Sequence, residues 1–440
     1  MTTVRRKEAE AMNEGRRMYE LCGKLFPICR SITGDGVRET FRILQGELPD
    51  VPFEMHEVKT GTPVLDWTVP KEWNIRDAFI RTPGGDVICE FKKNNLHILH
   101  YSVPVDKTVS LEELKEHIVT LPDQPDLIPS ASSYYAERWG FCMAHNDFLK
   151  LKEGDYHVYI DSELKEGSLT YGELLFPGER DEEIFFSSYT CHPSMANNEC
   201  SGPSLIIELA RYIQSMEKRR FSYRLVLAPE TIGALTYISK NLPHLQSHVK
   251  AAFNLTCVGD DRAYSIVHSR YGNTLADKIL ENVLKFHDPE YKDYDYTKRG
   301  SDERQYQAPG VDVPMVAFCR SKYHVFPEYH TSADNMDFIS PAGLQGSFDV
   351  MKKVINAIEY NKYYKVTTLG EPQLGRRGLV PNMSNKTTYQ QTLALKDLIA
   401  YADGSNDLID ISNIINVPVD RLIPLIDKLV ECRLFRERAE

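Results

Sequence analysis

The residue types best suited to chemistry stand where apolar runs end. His192 follows EIFFSSYT (183–190), Glu230 follows YRLVLAP (223–229) and Asp260 follows AAFNLTCV (251–258). The segment EYHTSADNMD (328–337), which carries His330, follows VPMVAFC (313–319). A hydrolytic zinc site needs a few nitrogen or oxygen ligands on rigid elements, an open position for water, and a carboxylate beside that water as general base. A single histidine after a strand is usually structural, but several histidines and acids delivered to one edge point to such a site.

The elements that would position them alternate between strand and helix. Between about 107 and 365, short apolar runs are separated by helical patterns near 203–217, 231–242, 273–286 and 342–359. That alternation predicts an α/β fold: a mixed, mostly parallel sheet with helices on both faces. In such sheets ligands bind at the carboxyl ends of strands, which is where the candidate residues fall. Ahead of this core, residues 5–47 read as two helices broken at FPICRSITGDG, and 52–106 as short β-rich runs. Beyond it, LGEPQLGRRGLVPNMSNKT reads as a linker, followed by three helical patterns in winged-helix order. The expected domains are 1–51 with 107–368 as the core, 52–106 as an inserted β-rich domain, and 385–440 as a winged-helix-like domain.

Charge narrows the partners. A net charge of -11 argues against general affinity for nucleic acid or anionic membrane, both of which rely on clustered Lys and Arg. From residue 388 onward nine acidic residues outnumber six basic ones (6 − 9 = −3), so the terminal helices are expected to pack or oligomerise rather than read DNA. MTTVRRKEAEAMNEGRRM lacks the apolar centre of a signal peptide, and no run approaches the roughly 18 apolar residues of a membrane span. A cytoplasmic protein is expected. The nine cysteines are scattered and never spaced CxxC, and read as reduced thiols.

Four segments carry a resemblance. His192 with ANNECSG (196–202) resembles the HxD...ANDNxSG segment of co-catalytic zinc aminopeptidases. PETIGAL (229–235) resembles their EExG segment, GSDERQYQAPGVDVP (300–314) their SDHxxF...GxP segment, and YHTSADNMD (329–337) their HTxxD segment. Across LFPICRSITGDGVRET, DWTVPKEWNIRDAFI and TCHPSMAN the chain also resembles a bacterial aminopeptidase-like family that has an inserted β domain and a C-terminal winged helix. Genes of that family often lie among polysaccharide-biosynthesis genes.

The resemblance implies roles position by position. His192 and His330 match two metal ligands, and Glu230 matches the general base. Asn198 stands at the bridging aspartate position, Thr231 at the second Glu of EExG, and Thr256 at a later acidic ligand. A neutral amide offers one weak oxygen donor and no charge where two dications would need a shared carboxylate. One zinc ion is therefore expected rather than two, with Glu199, Asp260 or Asp302 as compensating ligands and Asp334 orienting His330 or capping the next turn. Asp302 also reads as a helix N-cap, and Glu230 as a complement to a helix N-terminus. Arg304, Tyr306, Tyr323 and Tyr329 are the candidate substrate contacts, suited to a small polar substrate.

Two readings follow. The first is a zinc-dependent amide hydrolase acting on a small polar amide, in glycan or natural-product biosynthesis. The alternative is a catalytically impaired binding or assembly module, which Asn198, Thr231 and Thr256 favour. In either case a homo-oligomer could form through the inserted or C-terminal domain.

Overall fold

A computed structural model describes residues 3–379 and 386–438. The chain forms two compact units, Met1–Gly272 with Lys292–Phe348, and Asn273–Tyr291 with Asp349–Glu440.

An eight-stranded mixed sheet organises the first unit. In chain order its strands are β1 (Glu54–Lys59), β2 (Ser168–Phe176), β3 (Glu183–Tyr189), β4 (Ser222–Ala228), β5 (Val249–Leu255), β6 (Ser265–Val267), β7 (Lys292–Tyr294) and β8 (Met315–Cys319). They lie side by side as β1-β2-β4-β3-β5-β8-β6-β7. The central strands β4, β3, β5 and β8 are parallel, as the alternation of strand and helix predicts. Every residue of β3 is buried, which suits a strand covered on both faces.

Helix Ser201–Ser215 carries the chain from β3 to β4, and helix Ile232–His248 carries it from β4 back past β3 to β5. Right-handed crossovers running in opposite directions place these helices on opposite faces of the sheet. The strand order therefore reverses at β3, and the crevice beyond its carboxyl end is a topological switch point. His192 lies just past that end. Helix Ser201–Ser215 comes very close to the sheet: a Cβ on Gly202 would stand 2.1 Å from Ser188 Oγ and 2.7 Å from the Leu255 carbonyl oxygen. Only glycine fits at this contact.

The expected boundaries at 52–106 differ from the strand pairing. Glu54–Lys59 pairs with β2 at the edge of the main sheet rather than within a separate β module. A four-stranded antiparallel sheet does form, in the order Val87–Ile88, Glu72–Arg81, Asp155–Lys165, Val105–Ser110, but its central strand Asp155–Lys165 lies far beyond residue 106. That strand alternates inward Tyr156, Val158 and Ile160 with outward polar residues, the pattern of a two-faced antiparallel strand.

The second unit holds the winged helix. Helices Lys386–Tyr401, Leu408–Ile415 and Val419–Glu431 combine with a sheet ordered Asp403–Asp407, Tyr363–Val366, Phe435–Glu437. Its central strand precedes the Gly/Pro/Arg-rich linker, so this module begins well ahead of residue 385. Leu408–Ile415 opens on a capping box between Asp407 and Asp410. Among the described residues no helix is long and apolar enough to cross a membrane.

Candidate active site

His192 sits in a buried pocket of polar groups at the switch point. Its Nδ1 lies 3.0 Å from Glu199 Oε2, and its Nε2 lies 3.6 Å from Glu230 Oε2. Glu199 belongs to a single π-turn, Ala196–Cys200, closed by the Cys200 N–H bonding the Met195 carbonyl at 3.1 Å. Such turns recur at functional sites. Behind it lies Arg30, which is 1% exposed. Its Nε donates to the His192 carbonyl (3.1 Å) and stands 3.7 Å from Glu199 Oε1, and Nη1 donates to the Leu25 carbonyl (2.6 Å). Burial lowers His192 to about 4, helped by the Arg30 charge. Burial raises the Glu199 carboxyl to about 8, opposed by Arg30.

His330 approaches from the loop after β8. Its ring centroid is 5.0 Å from that of His192, and Tyr329 stacks against it at 3.9 Å. The His330 Nε2 is buried with no hydrogen-bond partner. Burial holds this imidazole well below its ordinary range, with His192 adding to the effect. Its backbone is left-handed, at φ 55°. Ser194, Thr231 and Cys257 also have positive φ, and non-glycine residues in that region cluster at functional sites.

Glu230 follows β4. Its N–H donates to Cys191 Sγ at 3.2 Å. Burial raises its carboxyl well above the ordinary range, and the Asp302 charge adds to the effect. Asp302 Oδ1 accepts the Thr231 N–H (2.8 Å), and Arg304 Nη2 donates to Thr231 Oγ1 (2.7 Å). Although Asp302 begins the short helix Glu303–Tyr306, its side chain makes no capping bond to it. Its N–H partner belongs to the neighbouring helix start instead.

Asn198 faces a neutral cluster. Its Oδ1 accepts from Tyr189 Oη (2.7 Å) and Cys257 Sγ (3.2 Å), and the Tyr189 hydroxyl also bonds Thr256 Oγ1. The Asn198 Nδ2 is buried and unpartnered.

The remaining candidates divide clearly. Asp260 has both oxygens occupied, by the Ser321 N–H and hydroxyl, Asn197 Nδ2 and the Arg262 N–H, at 2.8 to 3.0 Å. It ties loops together and offers no free oxygen. Asp334 accepts the Asn197 and Asn198 N–H groups (2.6 and 2.9 Å), so it fixes the π-turn rather than His330. Tyr306 and Tyr323 are buried in the core. The Tyr323 hydroxyl donates to Glu303, which also accepts the Gly300 N–H and Asn254 Nδ2, so Tyr323 is held within the protein, and Tyr306 is fully buried with its hydroxyl enclosed. Tyr329 alone of the three lies against a candidate ligand.

Sequence reasoning missed Arg30, Tyr189 and His100. Arg30 lies in a segment that reads only as a break between helices. His100 comes from the β-rich region, is 3% exposed and has an unpartnered Nε2. Burial lowers it to about 3, with the His192 charge as the second cause.

Residues 19–361 match the family described as "Domain of unknown function (DUF4910)", and residues 362–437 match a winged helix-turn-helix family. The chain belongs to the DUF4910 family. Its second match places the start of the winged helix at the strand Tyr363–Val366. A candidate polysaccharide-biosynthesis protein with an aminopeptidase-like domain from Clostridium acetobutylicum is 45% identical over 400 residues, covering 90% of this chain and 91% of the relative. A crystal structure of a candidate peptidase from Clostridium acetobutylicum superposes with a TM-score of 0.91 at 41% identity, covering 99% of both chains. A zinc aminopeptidase of Bacillus subtilis shares the fold at a TM-score of 0.57 and 12% identity, covering 78% of this chain and 94% of that one. The aminopeptidase-like α/β fold and the terminal winged helix expected from sequence are thus both present.

Proposed function

We propose that this DUF4910 chain is a metal-dependent amide hydrolase that uses one zinc ion, with Glu230 as general base. The observation that carries the reading is the pairing of His192 Nδ1 with Glu199 while its Nε2 points toward Glu230. Metal-bound histidines characteristically direct their other ring nitrogen to a carboxylate, which fixes the tautomer that leaves a lone pair for the metal. The buried, unpartnered His330 Nε2 is a second donor that no protein group satisfies. A zinc ion here would be held by these two imidazole nitrogens, His192 Nε2 and His330 Nε2. A zinc ion bound there would polarise the scissile carbonyl and acidify the attacking water.

Glu230 supplies the proton transfer. Its carboxylate stands 3.6 Å from His192 Nε2, beside the position a bound water would take, where it could accept the water's proton and return it to the leaving amine. His330 and Tyr329 line the approach, and suit a small polar amide with hydroxyl or carboxylate groups. The name of the Clostridium acetobutylicum relative favours a glycan-biosynthetic substrate. The acidic balance argues for an enzyme that binds neither nucleic acid nor membrane, the scattered free cysteines suit the cytoplasm, and the inserted or C-terminal domain would make subunit contacts in a homo-oligomer.

The cluster of Tyr189, Asn198, Thr256 and Cys257 favours the second reading, an impaired binding module, because these neutral groups stand where a second metal's ligands would be. A panel of aminoacyl p-nitroanilides and N-acetylated amino sugars, assayed with and without a chelator, separates the two. Chelator-sensitive turnover abolished in Glu230→Gln supports the hydrolase; absence of turnover with tight, chelator-insensitive binding supports the module.

A further inference from the structure

Glu230 is presented on a backbone that the chain would not adopt unaided. Thr231 has φ 62° and ψ −76°, and the Ile232 N–H bonds the Glu230 carbonyl at 2.8 Å. That is a γ-turn of the rare, strained hand, with a β-branched residue at its centre. Strain of this kind persists only where the surroundings over-determine it. Two side chains do so here, both from the segment that follows Ser301. Asp302 Oδ1 accepts the Thr231 N–H at 2.8 Å, and Arg304 Nη2 donates to the Thr231 hydroxyl at 2.7 Å. The Thr231 backbone and side chain are therefore gripped from one direction, and on the other side the Glu230 N–H is held by Cys191 Sγ at 3.2 Å.

We propose that Asp302 and Arg304 are positioning residues that lock the γ-turn at Thr231 and so aim the Glu230 carboxylate at His192. They act through Thr231 and touch no reacting atom. The inference rests on the reading of Glu230 as general base. It gives Thr231 a role: its hydroxyl accepts a brace from Arg304, where a second Glu in the zinc-aminopeptidase pattern would present a carboxylate. It also moves Arg304 from substrate contact to scaffold.

The lock makes the effects of Asp302 and Thr231 interdependent. Glycine adopts positive φ without strain, so a chain carrying Thr231→Gly needs the brace less. The test is a cycle of Asp302→Ala, Thr231→Gly and the double variant, read by Tm and by kcat and KM on an aminoacyl p-nitroanilide. Asp302→Ala is expected to lower Tm and to lower kcat roughly 10- to 100-fold with little change in KM, as misplacement of a catalytic group does. In the Thr231→Gly background the same change is expected to cost distinctly less in both readouts. An equal loss in both backgrounds overturns the proposal, since it would mean that Asp302 matters only as a buried group. Should Asp302→Ala not fold, Arg304→Met removes the other brace from a half-buried position and completes the same cycle. If the native chain turns over no anilide, the hydrolase reading is what fails, while the Tm cycle still decides whether Asp302 and Thr231 are coupled.

Discussion

His192 and Glu199 form a buried pair, Nδ1 to Oε2 at 3.0 Å, braced from behind by Arg30. The pair leaves the other imidazole nitrogen facing Glu230. If Glu199 orients a metal-binding histidine, Glu199→Ala should weaken zinc affinity about 10- to 100-fold, the usual cost of losing such a partner. Glu199→Gln, which keeps a hydrogen-bonding oxygen, should cost less. Competition titrations against a chromogenic chelator check this, and equal affinities in all three proteins would remove Glu199 from the site.

Asn198 sets the charge available to a cation. Asn198→Asp places a carboxylate where Tyr189 and Cys257 already donate, and affinity rises with ligand charge. Zinc binding should tighten by about tenfold or more, while stoichiometry stays at one, because Thr231 and Thr256 still offer no carboxylate. Elemental analysis showing two equivalents would contradict the single-ion reading.

Much of this was legible because His192, Glu230 and His330 each follow an apolar run, and a strand's carboxyl end is where an α/β sheet places its ligands. Asp260 follows such a run too, yet its oxygens are spent on Ser321, Asn197 and Arg262. Sequence position does not reveal how many donors surround a carboxylate. Tyr306 and Tyr323 lie near the right motifs but point into the core. Arg30 carried no signal, because a buried arginine in a turn looks like any surface one until its partners are known. Asp155–Lys165 and Tyr363–Val366 fall inside the 107–368 range expected for the core yet join other sheets, for a related reason: pairing partners far away in sequence decide which sheet a short strand joins.

Asp334 predicts a pH dependence. Burial raises its carboxyl from 3.8 to about 7. Between those values the folded chain holds a proton that the unfolded chain has released, so this group's contribution to stability falls as pH rises through the window. Asp334→Asn removes that slope. Chemical unfolding at pH 4.5, 5.5 and 6.5 should show the native chain losing stability relative to the variant as pH rises; parallel profiles would contradict the assignment.

Gly202 predicts a packing failure. A methyl group there meets Ser188 Oγ at 2.1 Å and the Leu255 carbonyl at 2.7 Å, so helix Ser201–Ser215 must move off the sheet. Gly202→Ala should destabilise the chain by about 1–3 kcal/mol or more. Because the helix continues directly from the π-turn, zinc affinity should fall as well. A change within about 0.5 kcal/mol in denaturant unfolding would show that the contact relaxes freely.

The most direct test of the central claim is metal content. Protein purified after zinc loading and exhaustive dialysis should carry about one equivalent by elemental analysis, and His192→Ala and His330→Ala should each carry almost none. Metal that survives both substitutions, or a native chain that retains none, would contradict a zinc site built on His192 and His330.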